Sequence, residues 1–428
     1  MKVVIIGGGF AGINLALDLA NKDQFEVTLV DKNNYNFFPP LIYQVATAFL
    51  EPSSISYPFR KLFSGKDNLH FRLGELLKVI PAEKKIVLNN GELDYDYLVF
   101  ATGAETNYFG MENVKANAIP MKTLDDAIEM RNKLLQQMEQ AAICTDPEET
   151  KRLLTIVIAG GGPTGVEVSG MFAEMRNGIL RKEYPELAGK GSEIYLVDGG
   201  HALLSPMSEK SQKNTYDDLR RLGVKIMLNC HVKDYVNDKV IFDNGQEIDT
   251  KNLIWAAGVT AKVFEGIPTE SYGRGRRMIV DEHNKVQGVD AIYAIGDTCI
   301  QQSDPNFTGG HPQVAQVAIQ QGKKLAKNFR RISEGKVPEA FTYFDKGSMA
   351  IIGKNKAVVD LPKPKVHFQG FFAWLIWLFI HLLSLITYRN RIRTFYNWMI
   401  AYLTKDQSLR MIIKPSRQNK SVPEKGIQ

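Results

Sequence analysis

Two copies of one local pattern, about 150 residues apart, constrain this chain more than any other feature. Val3 to Ile6 is a β-branched run; Gly7, Gly9 and Gly12 follow as GxGxxG; Ile13, Leu15, Ala16, Leu17, Leu19 and Ala20 then recur at helical spacing. A strand feeding a glycine turn feeding a helix lets the backbone come close to a pyrophosphate. The helix N-terminus then supplies free N–H groups and partial positive charge. A second strand, from Glu26 to Val30, ends in Asp31, where a carboxylate can accept hydrogen bonds from ribose hydroxyls. The pattern returns at Leu154 to Ala159, with Gly160, Gly162 and Gly165, a helical run from Val166 to Met175, and a strand from Ile194 to Val197 leading into Asp198. An insertion from Arg176 to Gly191 delays this second acid. The expected fold is α/β with two Rossmann-like dinucleotide-binding domains, holding two nucleotides in one chain. A carboxylate at Asp198 would repel a 2′-phosphate, so the second site is expected to prefer NADH to NADPH.

Composition narrows the class. At 428 residues and 44% hydrophobic content the chain can bury more than one core. Cys144, Cys230 and Cys299 stand far apart without a CxxC pair. This argues against an iron–sulfur cluster or structural zinc held in one loop, against an adjacent redox pair, and for reduced thiols. No metal site is expected. The start, MKVVIIGGG, is too short and glycine-rich to be a signal segment and reads as a core strand. The net charge of +6 is uneven: from Lys363 onward there are eleven Lys or Arg against two acids, leaving about −3 on the preceding residues. Long apolar runs interleave those basic residues, which points to an anionic lipid surface and away from nucleic acid.

Three more buried strands end in small-residue turns: YLVFATG (97–103), LIWAAG (253–258) and AIYAIGD (291–297). With GGGFAG, FPPLIYQVA, GGGPTGVE, AQVAIQ and the aromatic tail, the pattern resembles the two-dinucleotide flavoproteins, and within them the type II NADH dehydrogenases, single-subunit NADH:quinone oxidoreductases. The resemblance implies non-covalent FAD on Gly7, Gly9, Gly12, Asp31, Lys32, Thr102, Gly103, Gly296 and Asp297, with Gln44 close to the flavin ring. It implies NADH as co-substrate on Gly162, Thr164, Gly165, Asp198 and Gly258. Glu167 is either a carboxylate favoured by its helix N-terminus or, on the family's pattern, a group that places the nicotinamide and supplies protons. Gln316 and Gln320 share a helix face and, set in AQVAIQ, become candidates for the quinone head-group pocket together with Lys346 and Met349. Lys346 is also an ordinary turn lysine by composition. Pro312 is expected to open the helix that carries the two glutamines.

The implied layout is an FAD domain at 1–115 and 290–340, an NADH domain at 116–289, and a quinone-site and membrane-anchoring region at 341–428, with a homodimer as the expected assembly. The expected reaction is NADH oxidation coupled to reduction of a membrane quinone in a respiratory chain, without proton pumping, since no series of long helices carries intramembrane charges. A sulfide:quinone oxidoreductase is the same-fold rival, but it needs two cysteines flanking the flavin, and only Cys299 follows the Gly-Asp turn. A nucleotide-binding protein without turnover is the rival of a different class.

The tail begins with an uncharged run from Phe371 to Tyr388, followed by Arg389, Arg391 and Arg393. As a helix it would extend about 27 Å, slightly short of a ~30 Å hydrocarbon core. Crossing would carry Arg389, Arg391, Arg393 and Lys405 outside, against the positive-inside tendency. Trp374, Trp377, His381, Ser384 and Tyr388 recur at three and four as one interfacial stripe, with Phe, Leu and Ile opposite. The expectation is a helix lying on the cytoplasmic face of the inner membrane, followed by a second amphipathic helix around 394–403, with a buried helix or a dimer contact as the other, partly compatible reading of the run.

Overall fold

The computed structural model describes residues 1–404 and 410–413. In chain order the first unit contains β1 (Lys2–Ile6), α1 (Phe10–Leu19), β2 (Glu26–Asp31), α2 (Ile42–Ala46), β3 (Leu69–Leu73) and β4 (Tyr97–Phe100). The chain then builds a second unit from β5 (Ile119–Pro120), α3 (Leu124–Ile143), β6 (Ile156–Ala159), α4 (Pro163–Met175), β7 (Ile194–Val197), β8 (Val224–Met227) and β9 (Asn252–Trp255). It returns to the first unit with β10 (Ile292–Ala294) and α5 (Ala315–Ser333).

Both units carry a five-stranded parallel sheet, ordered β10-β4-β1-β2-β3 and β5-β9-β6-β7-β8. In each, the strand before the glycine turn lies centrally, its successor on one side and a much later strand on the other. This order reverses the winding direction and opens a crevice at the carboxyl ends of the strands. Continuous apolar strands such as VVII and IVIA suit this position, because helices or other layers cover both sheet faces. A ribbon between Glu105–Thr106 and Val259–Thr260 ties the two crossing segments together. Each unit also inserts a three-stranded antiparallel meander, at 76–94 and 232–249, which the sequence reading passed over.

The tail contributes β11 (Ser348–Gly353), β12 (Lys356–Pro362), β13 (Lys365–Gln369), α6 (Gly370–Ser384) and α7 (Tyr388–Thr404). The β11–β13 sheet is antiparallel and packs on α4 so closely that a Cβ on Gly170 would overlap the Ile352 carbonyl oxygen. Among the described residues no helix is long and apolar enough to cross a membrane. Lys405 and the basic residues after Ile413 lie outside the described residues.

Three expectations are corrected. The second tail helix starts at Tyr388, so it includes all three arginines. The stripe faces the protein and not the interface: Trp377 is fully buried and stacks on His381 with centroids 3.9 Å apart, while Phe372 and Phe379 on the opposite face are 71% and 63% exposed. An indole sheds more apolar surface from water by filling a groove in the body than by lying in the headgroup layer. Ser384 and Tyr388 leave the stripe because α6 ends there and α7 sets off in a new direction. Finally, Val314 is the N-cap of α5, so Pro312 precedes the helix without opening it.

Candidate functional site

The first crevice is made by backbone. Gly7 has φ +102°, a value that L side chains rarely adopt, and the end of β4 crosses so close that a Cβ there would overlap the Ala101 carbonyl. A Cβ on Gly12 would overlap the Gly7 carbonyl, whereas Gly9, the N-cap of α1, has nothing within 4 Å of where its Cβ would lie. No side chain caps α1 and no acid stands in its first turn. By contrast, α3 carries a complete capping box from Thr123 and Asp126. A helix start left uncapped beside open space suits a pyrophosphate. Asp31 accepts from the amides of Gly8 (2.7 Å) and Asn33 (2.8 Å), which fixes the carboxylate at the rim; burial raises its pKa against those amides and Lys32. Thr102 donates to Thr298 (3.1 Å), and Gly103 and Gly296 both have positive φ. The Gly296 amide donates to Gln321 of α5 (2.7 Å). Burial raises the Asp297 carboxyl, with Lys122 and Arg277 opposing. The topology thus gathers the residues expected at FAD at the ends of β1, β2, β4 and β10, and their features fit a dinucleotide.

The second crevice repeats the device. Gly160 has φ +112°, a Cβ on Gly165 would overlap the Gly160 carbonyl, and Gly162 caps α4 with open space and no side-chain bond. Asp198 accepts from the amides of Gly161 and Gly200 (2.7 Å for the latter), and Gly258 follows β9 in the same crevice, its carbonyl accepting from the Asn107 amide (3.1 Å). Thr164 lies in the first turn of α4.

Glu167 and Gln44 meet where the two units and the tail join. Glu167 is 9% exposed; burial pushes its carboxyl up to about 8, while the Ile351 amide of β11 and the Trp377 indole of α6 pull the other way. Tyr43, on α2, is raised well above its ordinary value by burial first and by Glu167 next. Gln44 donates to the Tyr43 hydroxyl (3.0 Å) and accepts from Trp398 Nε1 of α7 (2.8 Å). The partner from the tail, 354 residues further on, had no signal in the sequence beyond an indole on an amphipathic helix.

The glutamines of α5 are both engaged by backbone. Gln316 donates to the Gly347 carbonyl (2.8 Å) and accepts from the Lys346 amide (3.0 Å); Gln320 does the same with Phe344, at 2.9 and 3.0 Å. Each amide acts like one rung of a strand pair, pinning 344–347 to the helix. Lys346 is exposed and Met349 half-buried at the start of β11. A separate cavity of about 300 Å³ opens one turn along α5, between Ile319 and Lys323, the α1 residues Phe10 and Asn14, Phe38, and the α6–α7 turn at Leu383 to Arg391. Neither glutamine, nor Lys346, nor Met349 lines it. It borders the first glycine turn through Asn36, which donates to the Gly8 carbonyl (2.7 Å), and reaches the outer face of the tail at half-exposed Leu383. These lining residues were missed because they come from five separated segments.

Cys299 is 2% exposed and its thiol is pushed up to about 12 by burial, and all three cysteines are free.

A fold of two dinucleotide units with uncapped glycine crevices defines the pyridine nucleotide-disulphide oxidoreductase class, and residues 1–322 match that family's model, with residues 346–407 matching the NDH2 C-terminal domain. The type II NADH:quinone oxidoreductase NdhA of Mycobacterium tuberculosis is 35% identical over 94% of this chain and 87% of its own length; the enzyme so named in Haemophilus influenzae is 29% identical over 87% and 90%. The chain belongs to the type II NADH:quinone oxidoreductases. NDH2 of Plasmodium falciparum, solved in complex with NADH, shares the fold with a TM-score of 0.87 at 23% identity, covering 96% of this chain and 99% of that one. The sulfide:quinone oxidoreductase of Aquifex aeolicus shares it more loosely, with a TM-score of 0.71 at 19% identity over 95% and 96%.

Proposed function

We propose that this chain catalyses NADH + H⁺ + quinone → NAD⁺ + quinol at the surface of a membrane, with non-covalent FAD in the first crevice and NADH in the second. The observation that carries this reading is the single buried cluster in which α2, α4 and the two tail helices meet, joining the glycine-turn units to a surface that faces outward with Phe372, Phe379 and Ile392. FAD, when bound there, would supply the two-electron redox chemistry between the nicotinamide and the quinone. The chain's own residues bind, orient and exclude water. Gly9 and Gly162 admit the pyrophosphates, Asp31 and Asp198 take the riboses, and Gly103, Gly296 and Asp297 close the flavin side. Glu167, protonated near neutral pH, holds a proton beside the redox centre.

The 300 Å³ cavity is the proposed approach for the quinone, since it runs from the tail's outer face to the first glycine turn. Gln316 and Gln320 would shape that region by holding 344–347, with Lys346 on the held segment and Met349 just beyond it in β11. The domain division at 116–289, the homodimer and the cytoplasmic face of the inner membrane belong to the same reading.

The experiment is to mix purified protein, NADH and a soluble quinone and follow the nicotinamide absorbance. Rapid oxidation by a yellow protein is expected. A colourless protein, or flavin bleached by sulfide but not by NADH, would overturn the reading.

A further inference from the structure

The tail of this chain does more than lie beneath the nucleotide units. Trp398 sends its indole N–H to the Gln44 side chain at 2.8 Å, and Gln44 passes the contact to the Tyr43 hydroxyl at 3.0 Å. Trp377, fully buried, brings its Nε1 against Glu167 without closing a hydrogen bond, an unpartnered donor in an interior where such groups are costly. Both indoles belong to the helices whose opposite faces carry the exposed Phe372, Phe379, Ile392 and Met399. Each helix therefore presents one face outward and one indole to the junction of the two units.

We propose that Trp377 and Trp398 are positioning residues of the reaction: the seated tail helices fix the orientation of Glu167 and Gln44, so that quinone reduction depends on the tail being docked against the body. This rests on the function proposed above. The amide of Gln44 can rotate freely about its last bond unless both ends are held, and Trp398 and Tyr43 hold one end each. Trp377 turns a buried N–H toward Glu167 from outside the carboxyl's own helix, near enough to favour the charged form without a closed hydrogen bond, so a shift of α6 along the body changes what the carboxyl faces. A hydride step between bound nucleotides would not need either indole, whereas delivery to a quinone of electrons and of the proton held on Glu167 would.

The test uses the full chain as the holoenzyme in detergent and in vesicles. Its four tryptophans allow ¹⁵N-indole labelling to read each N–H directly. In the unmodified protein the Trp398 indole proton is expected to be slow to exchange, and Gln44→Leu should shift that resonance. Trp398→Phe and Trp377→Phe keep a ring in the groove. Trp398→Phe should lower kcat/KM for quinone by about five- to tenfold, the scale of one lost hydrogen bond; Trp377→Phe, which removes a nearby donor and no closed bond, should lower it by about three- to fivefold. Both should leave the rate of flavin reduction by NADH within twofold. Trp374→Phe, whose ring stacks on Phe371 at the edge of the groove, is the control and should change neither. Equal losses in both half-reactions would assign the indoles a purely structural part. No loss in either, or a Trp398 proton exchanging as fast as that of Trp374, would also overturn the proposal. If the unmodified protein fails to oxidise NADH with any quinone, the functional reading itself falls.

Discussion

Burial lifts the Glu167 carboxyl to about 8 from an ordinary 4.5, so the folded protein binds a proton there that the unfolded chain releases. Its contribution to stability is fully present below about 4.5 and is lost as pH rises through 8. Glu167→Gln, an isostere of the protonated acid, should therefore melt at the same temperature as the unmodified protein at pH 5 and at an equal or higher one at pH 8.5. Quinone turnover should fall by about a hundredfold or more, the scale for one lost acid–base group. Parallel losses of stability and turnover across this range would remove the proton-holding role. No acid occupies the first turn of α4, so a carboxylate placed merely to complement the helix dipole finds little support there. At the second crevice, kcat/KM for NADPH should be at least about tenfold below that for NADH, because Asp198 would face the extra phosphate; Asp198→Asn should narrow that gap. Comparable efficiency with both nicotinamides in the unmodified enzyme would contradict the assignment. The glycines were legible in the sequence because their constraint is local: Gly7 and Gly160 need a turn only they accept. Trp377 and Trp398 were not, since their partners lie hundreds of residues away.

Helix α4 carries Gly170 where β11 crosses it, and no side chain fits between them. Gly170→Ala should cost about 3 kcal/mol or more in a denaturant melt, an overpacking the carbonyl of Ile352 cannot evade by a rotamer change. A cost within experimental error would mean that this crossing is looser than described. Helix α5 pins 344–347 through two glutamines, and Gln316→Ala with Gln320→Ala should speed hydrogen exchange at the Phe344 and Lys346 amides by tenfold or more, their acceptors being gone. Unchanged exchange would show that the segment is held by something else. The sequence placed α1, α4 and their strands well because each reads as a periodic run bounded by glycine. The meanders at 76–94 and 232–249 escaped although each carries an Asn-Gly pair at a hairpin corner: Asn90-Gly91, where Asn89 and Asn90 make the turn and Gly91 opens the next strand, and Asn244-Gly245 within its turn. For α6 the period was right and the face was inverted, because hydropathy cannot tell a groove in the protein from the headgroup layer.

Across the whole molecule, the apolar side of α6 and α7 and the cations Arg389 and Arg393, all exposed, give a face suited to anionic lipid. Replacing Phe372, Phe379 and Ile392, which line no part of the cavity, together by serine should abolish flotation with anionic vesicles while leaving the melting temperature and the rate with a soluble quinone unchanged. Retained flotation would place the membrane contact elsewhere. Deleting the tail would be a poor substitute, since Ala373, Trp377, Leu385 and Trp398 share one core with Leu41, Val45 and Val166. That shared core also orders events at the ribosome. Chains are made from the N-terminus at roughly 5–20 residues per second, and earlier segments fold while later ones are still being added. The slot lined by residues near 41–55 and 166–173 must therefore stand open, greasy and unfilled, until residues 373–398 have been made more than 200 residues later. A nascent chain of this kind stays vulnerable to clumping throughout the interval between making the slot and making the helices that fill it.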